Sequence, residues 1–434
     1  NGMDIYVVEK PELPKVAVSL ATRAGSVADA PGKAGLASMT SRLMRRGTAT
    51  RNAIQIDETL GNLGTALNGG SAKESSTFSV EVLKRNLAPA VGVLADVVMN
   101  PSFPADEFDR EKKAALDNLT QAASNPNAVA NRVASMIAFG AEHPYGRPSG
   151  GLPGTVQAIT RDDLTAFHKA YWKPGSSALV FVGDITLAEA TALAKQQFDA
   201  WAGGSAPAIN IAPAAPMPKG KVYMIDRPGS AQTIVAHVLT APERKSPDYY
   251  ALALANTVYG GGFGTRLNLN LREDKGYSYG VFAFPQHFTK GGTWIATGGV
   301  QTDKTKESAV EFVKELKFIA GEKPISEKEF LSARLTKIRC YAQQFEAYGR
   351  ITGQITDLWL HGLPMSAMQA ETDEIGKLQI TAVNAAAAKY AAPAGTSILL
   401  VGDLSKIEAG IRELNLGEIV ILDVEGKVLS KPAL

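Results

Sequence analysis

Apolar and polar positions change their spacing repeatedly along the 434-residue chain, which predicts that short strands and amphipathic helices interleave. Apolar runs bounded by turn residues predict strands at 15–23, 76–83, 232–239, 279–285 and 293–300. Apolar residues spaced three and four apart predict helices at 35–46, 54–63, 91–99, 106–123, 188–198, 247–259 and 406–414. Some strands follow one another as hairpin neighbours, whereas others are separated by helices. This mixture predicts an α+β fold rather than a doubly wound parallel sheet.

Part of this pattern occurs twice. Four residues recur in the same order 219 positions further on: Tyr171, Pro174, Gly183 and Asp184 correspond to Tyr390, Pro393, Gly402 and Asp403. In both copies a helix is predicted to end near the tyrosine, and a turn at the proline leads into a buried strand that stops at Gly-Asp. The pair Glu107-Phe108 recurs as Glu329-Phe330 with an offset of 222. A repeat of this length indicates a duplicated domain rather than a repeat array.

The segment between the two copies, 202–220, is rich in Ala, Gly and Pro and has Lys219 as its only charged residue. Its prolines and glycines make it a poor candidate for helix or strand, and the segment is typical of an interdomain linker. We therefore predict two homologous α+β domains of about 220 residues each, 1–211 and 212–434.

The amino-acid composition argues against several classes of function for this chain. Hydrophobic residues make up 45% and charged residues 20% of the chain, which is typical of a globular protein. A formal charge of +2 argues against nucleic acid as a partner, and no apolar run is long enough to predict a membrane span. Cys340 is the only cysteine, so no internal disulfide and no thiolate zinc site are expected. Because the sequence starts at Asn1 without Met or leader, we expect a periplasmic protein, with the cytoplasm as the alternative.

Five histidines are present, and no two are spaced as a ligand pair on one zinc-binding helix. Three short motifs nevertheless occur in a characteristic order: R-A-G-S at 23–26, G-L-A at 35–37 and G-T at 47–48. This frame resembles the opening of the pitrilysin, insulysin and mitochondrial processing peptidase family, which carries the inverted zinc motif H-x-x-E-H. The resemblance implies that the two domains form half of a clamshell that closes around a chamber.

The resemblance also implies that this chain has lost the zinc chemistry. Ser38 and Arg42 stand where the family has its two histidine ligands, and Ser41 stands where it has the general-base Glu. Asn118 replaces the third ligand, whereas Glu111, which supports the metal ligands in the family, remains. A hydroxyl is a poor substitute for an imidazole, and a guanidinium places a cation against the metal. We therefore expect no metal, no cofactor, no catalytic residue of its own and no peptidase activity in isolation.

A second motif is intact. The chain reads Y-G-G-G-F-G-T-R-L at 259–267 and L-R-E-D-K-G-Y-S-Y at 271–279, which resembles the family's glycine loop followed by its substrate-binding Arg and Tyr. The resemblance assigns those two roles to Arg272 and Tyr279. Their spacing of seven residues, with Gly276 between them, predicts a helix end followed by a turn into a strand. The loop glycines are Gly260, Gly261, Gly262 and Gly264. A guanidinium and a phenol are donors suited to peptide carbonyls and to an oxyanion. Without the resemblance, Arg272 would be an ordinary solvated helix end, and the glycines would only stop a helix.

These expectations lead to two functional hypotheses. In the first, the chain is the non-catalytic, substrate-binding subunit of a heterodimeric zinc metalloendopeptidase. Its partner carries H-x-x-E-H and the zinc, and Arg272 and Tyr279 complete the partner's active site around a peptide. In the second, the chain is a structural or assembly protein, similar to the family's core subunits of respiratory complexes. The retained Arg–Tyr pair favours the first hypothesis.

Two further expectations follow. The resemblance implies that substrate adds a strand to a sheet edge in the partner, and it places the corresponding edge strand of this chain at 76–83. An independently active hydrolase is not supported, because no Ser-His-Asp or Cys-His set has a usable context.

Overall fold

The computed structural model describes residues 1–213, 220–392 and 395–429. They form two compact units, and each unit includes a segment from the opposite half of the chain. Unit 1 consists of Asn1–Leu119, Arg147–Ile211 and Tyr341–Gln369, and unit 2 of Thr120–Gly146 and the described residues of 212–340 and 370–429. The domains predicted from the repeat, 1–211 and 212–434, therefore differ from the compact units by two exchanged segments.

The strands, in chain order, are β1 (Asp4–Glu9), β2 (Lys15–Thr22), β3 (Asn68–Ser71), β4 (Ser76–Leu83), β5 (Ser177–Gly183), β6 (Lys221–Asp226), β7 (Gln232–Ala241), β8 (Ser278–Phe288), β9 (Gly291–Gln301), β10 (Ser397–Gly402) and β11 (Glu418–Leu422). The helices are α1 (Leu36–Met44), α2 (Ala53–Asn62), α3 (Leu87–Met99), α4 (Ala105–Ala123), α5 (Pro126–Phe139), α6 (Pro153–Ala158), α7 (Arg161–Tyr171), α8 (Leu187–Phe198), α9 (Tyr249–Tyr259), α10 (Arg266–Asn268), α11 (Thr305–Lys317), α12 (Glu327–Tyr341), α13 (Tyr348–Leu360), α14 (Ser366–Lys377), α15 (Ile380–Tyr390) and α16 (Leu404–Glu413). Helix α10 continues into a π-helical turn, Leu269–Asp274. The predicted α+β fold class is confirmed.

Unit 1 is built on a five-stranded sheet with the order β1-β5-β2-β4-β3. One face packs against apolar side chains of α1, α3, α7 and α8. The other face is covered by α13, which comes from the second half of the chain and brings Ile351 and Ile355 against Val180 and Val182. Because both faces are covered, β5 is buried along its whole length, which explains why its sequence is a continuous apolar run.

Unit 2 repeats this plan with a six-stranded sheet in the order β11-β6-β10-β7-β9-β8. One face packs against α9, α11, α15 and α16. The other face is covered by α5, which comes from the first half of the chain and places Val129 and Val133 against Ile234 and Val401. Successive residues of β7 point to opposite faces, so Ile234 and Val235 belong to different cores.

The helix and the strand of the repeat predicted from the sequence are present in both units. Helix α7 ends at Tyr171 and β5 runs to Gly183, while α15 ends at Tyr390 and β10 runs to Gly402. Pro393 of the second copy and Lys219 of the predicted linker lie outside the described residues.

The segment 76–83 forms a strand, β4, but the prediction that it is an edge strand is wrong. Strand β3 pairs with its first four residues and lies at the edge instead. The pairing depends on Gly69, whose φ is +134° and at which a Cβ atom would lie 2.0 Å from the carbonyl oxygen of Thr77. The sequence N-G-G-S concealed this strand, because glycine has low strand propensity and usually indicates a turn.

Candidate functional site

Helix α1 carries three of the four positions at which the resembling family holds its zinc site. Its N-terminus is capped by Asp29, whose carboxylate accepts hydrogen bonds from the N–H groups of Gly35 and Ala37, both at 2.8 Å. Burial raises the pKa of Asp29 to about 7, and these hydrogen bonds oppose part of the rise. Ser41 is buried and donates its hydroxyl to the carbonyl of Ala37 at 3.0 Å, whereas Arg42 is exposed.

The residues at these positions do not fit zinc. Ser38 is half-buried on α1 and Asn118 is exposed on α4. Neither they nor Ser41 and Arg42 offer an imidazole or carboxylate, and the hydroxyl of Ser41 is already used by the helix backbone. Among the residues that the structure describes, no group of three or more His, Cys, Asp or Glu side chains is placed to hold a metal ion.

A cavity of about 200 Å³ opens where the end of α1 meets α4, and it is lined by Arg42, Arg45, Arg46 and Glu111. Glu111 is buried, and its Oε1 accepts a hydrogen bond from Nε of Arg46 at 2.7 Å. The carboxylate that supports metal ligands in the family therefore pairs with a guanidinium here. Sequence reasoning singled out Arg42 and Glu111 but missed Arg45 and Arg46. Their spacing of three and four residues from Arg42 places all three on one helical face and could have identified them.

The glycine loop joins α9 to α10 and packs against strand β8. Gly260 lies against β8, where its carbonyl accepts a hydrogen bond from the N–H of Ala283 at 2.8 Å, and a Cβ atom at Gly260 would lie 2.6 Å from the Cβ of Ala283. By contrast, added Cβ atoms at Gly262 and Gly264 would meet no atom within 4 Å. Gly261 donates its N–H to the carbonyl of Asn256 at 2.8 Å, which ends α9. The first glycine thus permits close backbone packing, and the later ones leave the loop surface open.

Asn268 fixes this loop to the sheet, and sequence reasoning missed it. Its buried amide nitrogen donates to the carbonyls of Gly262 at 2.9 Å and Val281 at 2.7 Å, and its amide oxygen accepts from the N–H of Val281 at 2.9 Å. Asn268 lies between Leu267 and Leu271 on a buried helical face. A lone amide on an apolar face was the available signal, because a buried amide must find partners.

Arg272 and Tyr279 lie on either side of a turn in unit 2. The π-helical turn carries Arg272, Gly276 follows with φ +66°, and β8 begins at Ser278 with a register shift before Val281. The predicted helix end, turn and strand start are confirmed. Tyr279 is 88% exposed and makes no hydrogen bond to a described residue.

Arg272 is exposed as well, and its guanidinium packs over the ring of Phe263. Its Nη1 lies 3.3 Å from Oε1 of Glu273, and its Cζ lies 5.0 Å from the centre of the Phe263 ring. Phe263 itself is 62% exposed and makes an edge contact with Phe282 at 5.2 Å between ring centres. The aromatic residue within the glycine loop thus provides a surface on which the guanidinium rests.

A groove of about 520 Å³ runs beside the loop, between Gly261, Gly262 and Gly264 on one side and α12 on the other. Its floor includes Arg266, whose guanidinium binds both carboxylate oxygens of Glu329 at 2.7 and 2.8 Å. The guanidinium of Arg266 and the N–H and hydroxyl of Ser326 lower the pKa of Glu329 to about 2. Arg266 also donates to two backbone carbonyls and is nearly buried, so it stabilises the groove wall.

The fold and the site together agree with the resemblance to the peptidase family, with residues other than zinc ligands at Ser38, Ser41, Arg42 and Asn118. The sequence profile of the insulinase family (peptidase family M16) matches residues 5–148, and the profile of the peptidase M16 inactive domain matches residues 158–336. The chain therefore belongs to peptidase family M16, and the family resemblance predicted from the motifs is confirmed. Within that family it is a non-catalytic chain, because the zinc-ligand positions hold residues that do not bind zinc.

Related sequences and structures agree with this assignment. The chain is 25% identical over 343 residues to an uncharacterized zinc protease of Rickettsia bellii, covering 79% of this chain and 81% of the relative. A crystal structure of a peptidase M16 inactive domain from Pseudomonas fluorescens superposes with a TM-score of 0.86 at 27% identity, covering 93% of this chain and 96% of that one. A chain of complex III from Candida albicans shares the fold, with a TM-score of 0.79 at 14% identity and coverage of 95% and 98%.

In the part of the chain that the structure describes, no helix has the length and apolar character needed to cross a membrane.

Proposed function

We propose that this chain is the substrate-binding subunit of a heterodimeric zinc metalloendopeptidase, and that Arg272 and Tyr279 complete the active site of an M16 partner carrying H-x-x-E-H. The observation that carries the proposal is the exposure of Tyr279, which is 88% accessible and makes no hydrogen bond to a described residue. A tyrosine in this state contributes little to the fold of unit 2. Its phenol is free to donate to a ligand from outside.

The local framework supports this role for both side chains. The loop is anchored to β8 by Asn268 and Gly260, and Arg272 rests on Phe263, a residue of the same loop. Donors held on a rigid framework need little reorganisation when negative charge develops on a peptide carbonyl. One well-placed donor of this kind contributes on the order of 3 kcal/mol to the stabilisation of a transition state.

The groove beside the loop supports a peptide as the substrate. Its glycines leave backbone surface accessible, and its polar wall includes Thr265, Ser332 and Thr336. An extended peptide exposes carbonyl and N–H groups that such a surface binds with little dependence on sequence.

We further propose that the complex acts in the periplasm, which fractionation of a tagged full-length protein tests directly.

The alternative function is structural, as a family member with no proteolytic role. The shared fold with a complex III chain makes this alternative concrete. It differs in what it requires of Arg272 and Tyr279, because a purely structural subunit has no use for two exposed donor side chains on either side of this turn.

Reconstitution tests the proposal. The chain is co-expressed with an H-x-x-E-H member of the family from the same organism, and cleavage of a quenched fluorescent peptide is measured. We expect a stable complex and a fall in kcat/KM of about 100-fold for Arg272→Ala and at least about tenfold for Tyr279→Phe.

Two variants serve as matched controls. Arg334→Ala removes another guanidinium that lies 4.8 Å from a Phe ring in unit 2, and Tyr277→Phe removes the hydroxyl two residues before Tyr279. Both are expected to leave cleavage within about twofold of the wild type. A complex that forms normally and cleaves at the same rate without Arg272 and Tyr279 would support the structural alternative instead.

A further inference from the structure

The cavity at the end of α1 has an unusual charge arrangement. Arg42 lies on the last turn of α1, Arg45 and Arg46 follow directly after the helix, and Glu111 on α4 is the other described residue that lines the cavity. Glu111 is bound to Arg46 at 2.7 Å. The guanidinium groups of Arg42 and Arg45 form no hydrogen bond and no close ion pair with any residue that the structure describes.

The surroundings of Arg45 disfavour its positive charge and lower its pKa. Burial and the neighbouring charge of Arg46 lower the pKa of Arg45, while Asp57 and Glu111 raise it. Asp57 is exposed and forms no ion pair within the described residues. Counting Asp57, three cations face two carboxylates, and the cavity keeps a net positive charge. A bound anion relieves this repulsion, because it supplies hydrogen-bond acceptors for guanidinium donors that have none among the described residues.

We propose that this cavity binds the carboxylate group of a peptide. Guanidinium groups bind carboxylates through paired, parallel N–H···O hydrogen bonds, and the guanidinium groups of Arg42 and Arg45 provide such donors. In taking a peptide as the bearer of the carboxylate, the inference rests on the proposed function. The cavity lies within unit 1 and requires neither the partner subunit nor Arg272 and Tyr279.

Titration calorimetry on the isolated chain tests the inference with three N-acetylated alanine-rich peptides of equal length. One ends in a free carboxylate, one ends in an amide, and one ends in an amide but carries a single Glu side chain. We expect the neutral amide to bind at least about tenfold more weakly than one of the two charged peptides. The charged peptide that binds identifies whether the C-terminal or the side-chain carboxylate is recognised. Its affinity is expected to fall with added salt.

Substitution then locates the site. The double variant Arg42→Gln/Arg45→Gln is expected to bind the charged peptide no better than the amide, whereas Arg110→Gln is expected to bind like the wild type. Arg110 lies next to Glu111 on α4 and pairs with Glu107 outside the cavity, so it is a matched control for loss of one positive charge. If the double variant does not fold, the single variant Arg42→Gln replaces it, because Arg42 is exposed. Its affinity for the charged peptide is expected to fall several-fold.

Four results would overturn the proposal. Equal affinity for the acid and amide peptides, undiminished binding by the Arg42 and Arg45 variants, or no binding of any peptide at millimolar concentration each rules it out. Inorganic phosphate that binds more tightly than every peptide also contradicts it, because the site would then recognise phosphate. None of these results bears on cleavage by the reconstituted complex, so the proposed function is tested separately.

Discussion

Asn268 and Val281 are joined by two hydrogen bonds, from the amide nitrogen to the carbonyl at 2.7 Å and from the N–H to the amide oxygen at 2.9 Å. One side chain thereby makes the pair of contacts that a neighbouring strand would make. It occupies the outer edge of β8 at Val281, and two residues further on, the N–H of Ala283 is taken by the carbonyl of Gly260. Pro285 then has no N–H at all. Between Val281 and Pro285, these outward backbone groups of β8 are therefore not available to pair with an added strand.

Replacing Asn268 with Ala is expected to destabilise unit 2. The substitution leaves the N–H and carbonyl of buried Val281 without partners, and each unmet group costs about 1–3 kcal/mol. Urea unfolding followed by circular dichroism measures the loss, which we expect to exceed about 2 kcal/mol. Gln286→Ala, an exposed position on the same strand, is the control and should change the unfolding free energy by less than about 0.5 kcal/mol. Equal stability of the two variants would contradict a structural role for the amide.

The glycines of the loop are expected to differ in their tolerance of a methyl group. Gly260→Ala brings a Cβ atom to 2.7 Å from the backbone nitrogen of Ala283 and should cost about 1–3 kcal/mol of stability through overpacking. Gly262→Ala meets no atom within 4 Å and should change stability by less than about 1 kcal/mol. Thermal unfolding of the two single variants, side by side, decides the point. A Gly262 variant that is as unstable as the Gly260 variant would mean that backbone freedom matters rather than the contact with β8.

Because of Glu329, the protein is expected to lose part of its stability in acid. Its pKa is lowered from 4.5 to about 2 by Arg266 and Ser326, so its contribution is fully present above pH 4.5 and is lost as pH falls toward 2. Glu329→Gln should be less stable than the wild type at pH 7, and the difference should shrink between pH 4.5 and 2.5. Glu327→Gln, two residues earlier on α12, is the control and should follow the wild-type profile. A constant difference between Glu329→Gln and wild type across this range would show that titration is not involved.

Local features of the sequence predicted a large part of this structure. The two Tyr–Pro–Gly–Asp copies predicted where α7 and α15 end and where β5 and β10 lie, because helix ends, turns and buried strands are set by neighbouring residues. The Arg272–Tyr279 spacing likewise predicted a turn between helix and strand.

The packing of distant segments against each other could not be predicted from the sequence. Helices α5 and α13 are amphipathic, but nothing in their own residues specifies that each covers the sheet of the opposite half. The partners of Asn268 come from β8 and from the loop, and the three arginines of the cavity meet Glu111 only after α1 packs near α4. Strand β3 was missed because pairing with β4 overrides the turn propensity of its glycines.

Metal removal is expected to have no effect on this chain alone but to inactivate the complex with its proposed partner. The purified single chain should contain zinc far below one equivalent, and a chelator should leave its melting temperature unchanged, because no described cluster offers zinc ligands. Peptide cleavage by the reconstituted complex should instead be abolished by the chelator and restored by added zinc. Elemental analysis and thermal unfolding measure the first part. One bound equivalent of zinc in the single chain would overturn the assignment of Ser38, Ser41, Arg42 and Asn118 as lost ligand positions.

The contact between Arg272 and Phe263 leads to a prediction about cleavage that does not involve removing either proposed binding group. Phe263 is 62% exposed, so Phe263→Ala should change stability little, but it removes the surface on which the guanidinium rests. An exposed cation–π contact contributes about 0.5–1 kcal/mol, so we expect kcat/KM of the complex to fall roughly two- to fivefold. Phe284→Ala, with a similarly exposed ring on β8, is the control. In the double variant Phe263→Ala/Arg272→Ala, the loss should equal that of Arg272→Ala alone, because the ring acts through the guanidinium. Fully additive losses would show instead that Phe263 contacts the peptide directly and that Arg272 needs no support from the loop.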